Sequence, residues 1–194
     1  MLYIPYINNF NEIKRQEKII EVLENQLTKA NVEDILIQDP YLYNDLYNNN
    51  FHEIFIEKKE YISDLDLSQR SSLWIKLFHK ISDLNETQKE KTLKIMSYLN
   101  PNENINNNDK SKKINNIPYK KLKISILAEN KGKVHSKIHD RFILLRTNKN
   151  KFFGIHIGVS LDNISKKDIL FTKINEKLSK EIFTKFEERF NQGE

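Results

Sequence analysis

Two runs between Lys137 and Asp162 constrain the fold more than any other part of the chain. They are Lys137-Ile138-His139-Asp140-Arg141-Phe142-Ile143-Leu144-Leu145 and Gly154-Ile155-His156-Ile157-Gly158-Val159-Ser160-Leu161-Asp162. Both are rich in aliphatic residues, and the polar Thr147-Asn148-Lys149-Asn150 between them reads as a turn, so the pattern predicts an antiparallel hairpin. Side chains on a strand alternate faces, which places His135, Lys137, His139 and Arg141 together. On the returning strand His156, Gly158 and Ser160 share a face. Paired in this way, cations, imidazoles, a hydroxyl and a glycine backbone converge on a patch suited to an anionic phosphoryl group.

The remainder of the chain predicts what surrounds that hairpin. Asn11 to Ala30 carries Ile13, Ile20, Leu23 and Leu27 at helical spacing, and Val32 to Gln38 is an apolar strand stopped by Asp39-Pro40-Tyr41. Tyr41 to Asp66 reads as helical with a loop through asparagines 48 to 50. Leu73 to Ile81 is nearly continuous apolar sequence and reads as a buried strand, with Trp74 in the core. Asp83 or Asn85 is expected to cap a helix through Leu99, with Leu93, Met96 and Leu99 as its stripe. The segment 100–118 is rich in Asn and Lys without apolar period, the signature of a mobile surface loop. Lys121 to Leu127 and Ile169 to Ile174 read as strands. Asn175 is expected to cap a last helix burying Leu178, Ile182, Phe186 and Phe190. Strands alternating with helices predict an α/β fold, a mixed sheet flanked by helices on both faces. The organisation expected is an N-terminal helical extension over 1–31 followed by one domain over 32–194, and a helix without a partner at the start allows that the chain is part of a longer protein.

Composition removes several chemistries. At 194 residues the chain can bury a substantial core. Its charged fraction of 30% and mean hydropathy of −0.66 fit a soluble protein, with the cytoplasm the expected location. The net charge of +5 permits contact with nucleic acid or an anionic membrane without requiring either. There is no cysteine, so disulfides, thiolate zinc sites and cysteine nucleophiles are excluded. Four glycines cannot supply a Walker loop or a dinucleotide fingerprint. His135 and His139 on a strand stand ~13 Å apart, too far for one zinc ion; no metal or cofactor is expected. A triad of Ser160, His139 and Asp162 lacks a nucleophile-elbow sequence. Lysines 110, 112, 113, 120, 121 and 123 are able to track a phosphate backbone, although lysines of this kind are commonly only solvated. His52 and His79 have no partner motif and read as structural.

Three short motifs carry a family resemblance: Asp39-Pro40-Tyr41, His139-Asp140-Arg141 and Gly158-Val159-Ser160-Leu161-Asp162. Their order and strand context resemble the phospholipase D superfamily, in particular the divergent single-motif branch found as the C-terminal domain of MIT-domain proteins and in related bacterial proteins. The resemblance spans Val32 to Phe190. It implies a phospholipase-D-like fold and metal-independent phosphodiester chemistry, in which one histidine attacks phosphorus, another protonates the leaving group, and a cation and polar groups hold the phosphate oxygens. Carried across, His139 is nucleophile or acid, Arg141 the phosphate clamp, and Ser160 and Asp162 the pair that follows, with His135, Lys137, His156 and Gly158 lining the phosphate. This chain departs from the active pattern: Arg141 replaces a lysine, Arg146 takes the acidic position, and Asp162 stands where a neutral amide is expected. The alternative register on His135-Ser136-Lys137 puts Phe142 at the acidic position. A single motif implies a homodimer if two histidines are needed.

Two functions follow from the resemblance. One is a phosphodiesterase, of nuclease type, acting as an effector in a prokaryotic conflict or defence system. The other is a degenerate module that binds anionic lipid, nucleic acid or a protein partner without hydrolysis. His139, Arg141 and Asp162 also fit a buried polar network that only pins the hairpin to its neighbours. Asp39, at a strand end, fits either a site residue or a helix cap.

Overall fold

The structure, a computed structural model, describes residues 2–4, 12–28, 31–48, 73–83, 90–99, 111–119, 122–130, 140–158 and 169–192. Eight strands form one sheet: β1 (Leu2–Ile4), β2 (Val32–Gln38), β3 (Lys91–Tyr98), β4 (Ser111–Tyr119), β5 (Leu122–Glu129), β6 (Phe142–Thr147), β7 (Phe152–Ile157) and β8 (Ile169–Ile174). Four helices accompany them among the described residues: α1 (Glu12–Thr28), α2 (Leu42–Asn48), α3 (Leu73–Asp83) and α4 (Glu176–Gln192). The strand order is β1-β8-β7-β6-β2-β3-β5-β4. At its centre β2, β3 and β5 run parallel, and every other pairing is antiparallel. The expected α/β class with a mixed sheet is therefore what the chain adopts.

Among the described residues the two faces of the sheet are covered unequally. Odd-numbered residues of β2, β3 and β6, such as Ile35, Ile37, Leu93, Ile95, Ile143 and Leu145, pack with Ile19, Leu23, Tyr43, Trp74 and Phe78 from α1, α2 and α3. Even-numbered residues, Leu36, Met96 and Leu144, pack with Phe183, Phe186 and Phe190 of α4. A central parallel strand buried on both faces must be apolar at successive positions, as Ile35-Leu36-Ile37 is.

Two assignments from the sequence exchange places. Leu73 to Asp83 is helix α3, not a strand. Its buried apolar residues fall at 73, 74, 75, 77, 78 and 81, a broad helical face, while Lys76 reaches across to Gln16 of α1 at 2.7 Å. Lys91 to Tyr98 is strand β3, not a helix. Leu93 and Ile95 enter one core and Met96 and Tyr98 the other, so what looked like a helical i, i+3 spacing is a strand buried on both sides.

The segment expected to be a loop contains edge strand β4, paired with β5. A bulge between Ile114 and Ile117 leaves Asn116 at φ 58°, its N–H donating to Ser125 Oγ at 3.1 Å. The bulge and Pro118 interrupt the ladder where a continuous edge invites pairing with other chains. Residues 101–110 lie outside the described residues.

The N-terminal segment is part of the domain rather than an extension of it. β1 pairs with β8, and Ile19, Ile20 and Leu23 of α1 are buried in the larger core. At the other end Asn175 Oδ1 accepts the Leu178 N–H at 2.9 Å, the expected cap of α4. The buried stripe of α4 is Ser179, Phe183, Phe186 and Phe190, with Leu178 exposed, one position round from the stripe the sequence suggested. Gly154 of β7 lets this helix approach: a Cβ there would lie 2.6 Å from Ser179 Oγ and 3.1 Å from both Ile174 and Leu144 side chains.

Candidate functional site

The C-terminal ends of parallel strands β2, β3 and β5 lie at one edge of the sheet, and the antiparallel register brings the start of β6 and the end of β7 to the same edge. Ligand sites of open α/β sheets favour the carboxyl ends of parallel strands. Here that edge holds Asp39 and Tyr41 after β2, Asp140 and Arg141 before β6, and Gly158 after β7. The described flanks of segments 131–139 and 159–168, namely Asn130, Asp140, Gly158 and Ile169, belong to this edge as well.

Asp39 is placed by the end of its strand. Its N–H donates to Met96 O at 3.1 Å, extending the ladder to β3, and Pro40 turns the chain away while its carbonyl accepts the Tyr98 N–H at 3.2 Å. The carboxylate is 1% exposed as a residue and does two things. Oδ1 accepts the Tyr41 N–H at 2.8 Å, setting the turn into α2, and Oδ2 stands 3.3 Å from Arg141 Nε. Cap and site residue were alternatives in the sequence; one oxygen fixes the turn that leads into α2 and the other faces Arg141. The Arg141 contact is a charge pair rather than an aligned hydrogen bond, since its buried Nε makes none. The guanidinium carbon also lies 5.7 Å from the centre of the Tyr41 ring, within cation–π range.

Gln38 secures the same junction from the strand, its Nε2 donating to Asp140 O at 3.0 Å. Sequence reasoning passed over Gln38, because a polar residue ending a strand carries no signal without knowledge of its neighbour.

The predicted hairpin forms, but its strand begins at Phe142, so Asp140 and Arg141 precede the ladder. Its turn closes with Asn150 N–H to Thr147 O at 2.9 Å, Asn150 adopting φ 55°, a left-handed conformation asparagine tolerates. In the observed register Phe142 faces His156 and Arg146 faces Phe152. His156 therefore projects to the α4 side, while Arg141, bonded through its carbonyl to Ile157 N–H at 2.9 Å, belongs to the three-helix side with Asp39. The structure does not bring His156 and Arg141 onto one face. His156 packs against Phe142 with ring centres 5.3 Å apart and the rings tilted by 47°, and its Nε2 is 4.0 Å from Asp140 Oδ1.

Gly158 reaches the edge, but its N–H donates to Leu170 O at 3.1 Å and is not open to a phosphate. Arg146 lies at the far end of β6, its Nε 2.7 Å from Asp34 Oδ2 and its guanidinium against Phe183, outside the site. The predicted residues His135, Lys137, His139, Ser160 and Asp162 lie outside the described residues. Glu129, ending β5, is held by Arg189 of α4 with Nε–Oε1 at 3.0 Å. Among the described residues no group of three or more His, Asp or Glu side chains is arranged to hold a metal ion, and no helix is long and apolar enough to cross a membrane.

The chemistry available at this edge is that of a planar cation fixed by a buried carboxylate and an aromatic ring, able to hold an oxyanion in a defined orientation. A comparison with protein families, with curated proteins and with solved structures finds no match to this chain.

Proposed function

We propose that this chain is a phospholipase-D-like domain that acts on a phosphodiester at the edge where Asp39, Tyr41 and Arg141 meet. The observation that carries the proposal is the convergence of two of the three motifs, which are far apart in sequence. Asp39-Pro40-Tyr41 and Asp140-Arg141 meet through an ion pair, a ring contact and the Gln38–Asp140 hydrogen bond, whose partners are 102 residues apart. A network serving only to pin a hairpin has no need of a solvent-facing ring and a cation at the carboxyl ends of parallel strands.

In this proposal Arg141 binds a phosphate oxygen and His139, adjacent in sequence to Asp140, attacks phosphorus. A P–N bond forms as the ester P–O bond breaks, and the departing oxygen takes a proton from the His139 imidazole of a second copy. Water then displaces the histidine from phosphorus, releasing the phosphomonoester and restoring both groups. The protein acts as a homodimer without a metal ion, in the manner of a nuclease effector of a prokaryotic defence system. Hydrolysis of bis-p-nitrophenyl phosphate and of DNA and RNA in EDTA, with and without His139→Ala, tests it.

A second reading has its own support. Asp39 offsets the charge of Arg141, and the Gly158 N–H is already taken. Both features suit a module that binds an anion weakly and does not hydrolyse it. Binding to anionic vesicles or nucleic acid without turnover, lost in Arg141→Ala, would select this reading.

A further inference from the structure

We infer that Tyr41 is a stacking platform for an unpaired nucleobase, so that the phosphodiester held at Arg141 belongs to single-stranded nucleic acid. The inference rests on the phosphodiester site proposed above and names its substrate class.

Among the described residues the large apolar side chains left exposed are Tyr41 and Leu178, each at 44%. Leu178 lies in the first turn of α4, on the opposite side of the sheet from the Asp39–Arg141 pair. Tyr41 stands at the site itself. Its position is not that of a frayed surface ring: Asp39 Oδ1 holds its N–H at 2.8 Å, and Pro40 before it is tied to Tyr98 by the 3.2 Å bond. The next residue, Leu42, is fully buried as α2 begins. A ring presented to solvent from so fixed a turn is pre-organised for a planar ligand.

The cation beside it defines which ligand. Arg141 Cζ lies over the Tyr41 ring, 5.7 Å from its centre, so the cation stands directly beside the platform. A base stacked on the solvent-exposed part of the ring leaves the guanidinium to a phosphate of the same strand. Aromatic platforms beside basic groups are how proteins hold single strands without reading sequence, because every base offers a π face. A duplex keeps its bases stacked on one another and cannot use the platform. A phospholipid offers no planar group, and docking to acyl chains requires a contiguous apolar patch, which one ring does not make.

The test compares a labelled oligothymidylate with an abasic strand of equal length, by fluorescence anisotropy in EDTA. It uses the full chain carrying His139→Ala, so that the strand survives, and wild type as folding control. The expected result is about tenfold tighter binding of the base-bearing strand. Tyr41→Leu, which keeps apolar volume without the π face, abolishes that preference and leaves the abasic strand unaffected, while Tyr41→Phe retains it. Equal affinity for the two strands overturns the inference. So does equal weakening of both by Tyr41→Leu, which would make the ring a support for Arg141 only. Failure to bind either strand, or binding to phosphatidylserine vesicles instead, overturns it too. Metal-independent cleavage of the abasic strand by wild type reads the phosphodiesterase chemistry alone, so loss of base preference with cleavage intact rejects the stacking and spares the proposed reaction.

Discussion

Asp39 Oδ2 and Arg141 Nε stand 3.3 Å apart where β2 ends and β6 begins, with the Asp39 side chain 2% exposed and that of Arg141 16%. A carboxylate so deeply buried depends on the charge beside it. Arg141→Ala is expected to destabilise the fold by about 3 kcal/mol, the scale for removing one member of a buried pair. Adding Asp39→Asn to Arg141→Ala removes the buried charge and should restore most of that loss. Urea denaturation of the two single variants and the double variant measures the coupling; additive effects would show that the pair is not energetically linked.

The close approach of α4 to β7 gives a prediction independent of function. A Cβ on Gly154 would meet Ser179 Oγ at 2.6 Å, so Gly154→Ala forces the helix or the strand to move, a strain of about 1–3 kcal/mol. Ser179→Ala removes the nearest atom and forfeits the 2.8 Å bond from Ser179 Oγ to Asn175 O. The double variant should therefore be more stable than Gly154→Ala alone. Thermal unfolding of the pair checks it; a double variant less stable than either single would contradict the packing described.

Lys91, at the start of β3, has its ammonium pushed below the ordinary lysine value of 10.5 by burial. Its folded pKa is the lower one, so between the two values the unfolded chain binds more protons. Stability therefore rises as pH climbs from the folded pKa towards 10.5, and the penalty is fully present below that range. Lys91→Met should be more stable than wild type at neutral pH and should lack that part of the alkaline rise. Denaturation midpoints for both proteins across this range decide the matter, and parallel profiles would contradict it.

Much of this architecture can be read from the residues, for reasons that also explain the failures. β2 and β8 fall where their short apolar runs and bounding polar residues place them, and Asn175 caps α4 through the bond its side chain makes. The exchange between α3 and β3 arises because a strand buried on both faces loses its alternation. A short helix packed between α1 and the sheet gains an almost continuous apolar run in the same way. Strand β4 is hidden because an edge strand needs few apolar residues, and Lys112, Lys113 and Asn115 give no period to detect.

At the site, the motif residues could be named from sequence, but not which face each would take. Within β7 alternation gives His156 its face, while Arg141 lies just ahead of β6. Only the cross-strand register, Phe142 opposite His156, puts them on opposite sides of the sheet. Nothing local marks Gln38 as the donor to Asp140 O, or Asp39 as both the acceptor that fixes its turn and the ion-pair partner.

The most direct measurement of the central proposal is phosphodiester hydrolysis in EDTA by wild type, His139→Ala and Arg141→Lys, with folding and oligomeric state checked for each. The proposal predicts turnover by a wild-type dimer, its abolition in His139→Ala, and a reduction of at least about tenfold in Arg141→Lys, which keeps the charge and loses the planar fork. Turnover that survives His139→Ala, or no turnover by a folded dimer on any of the diester substrates, would contradict it.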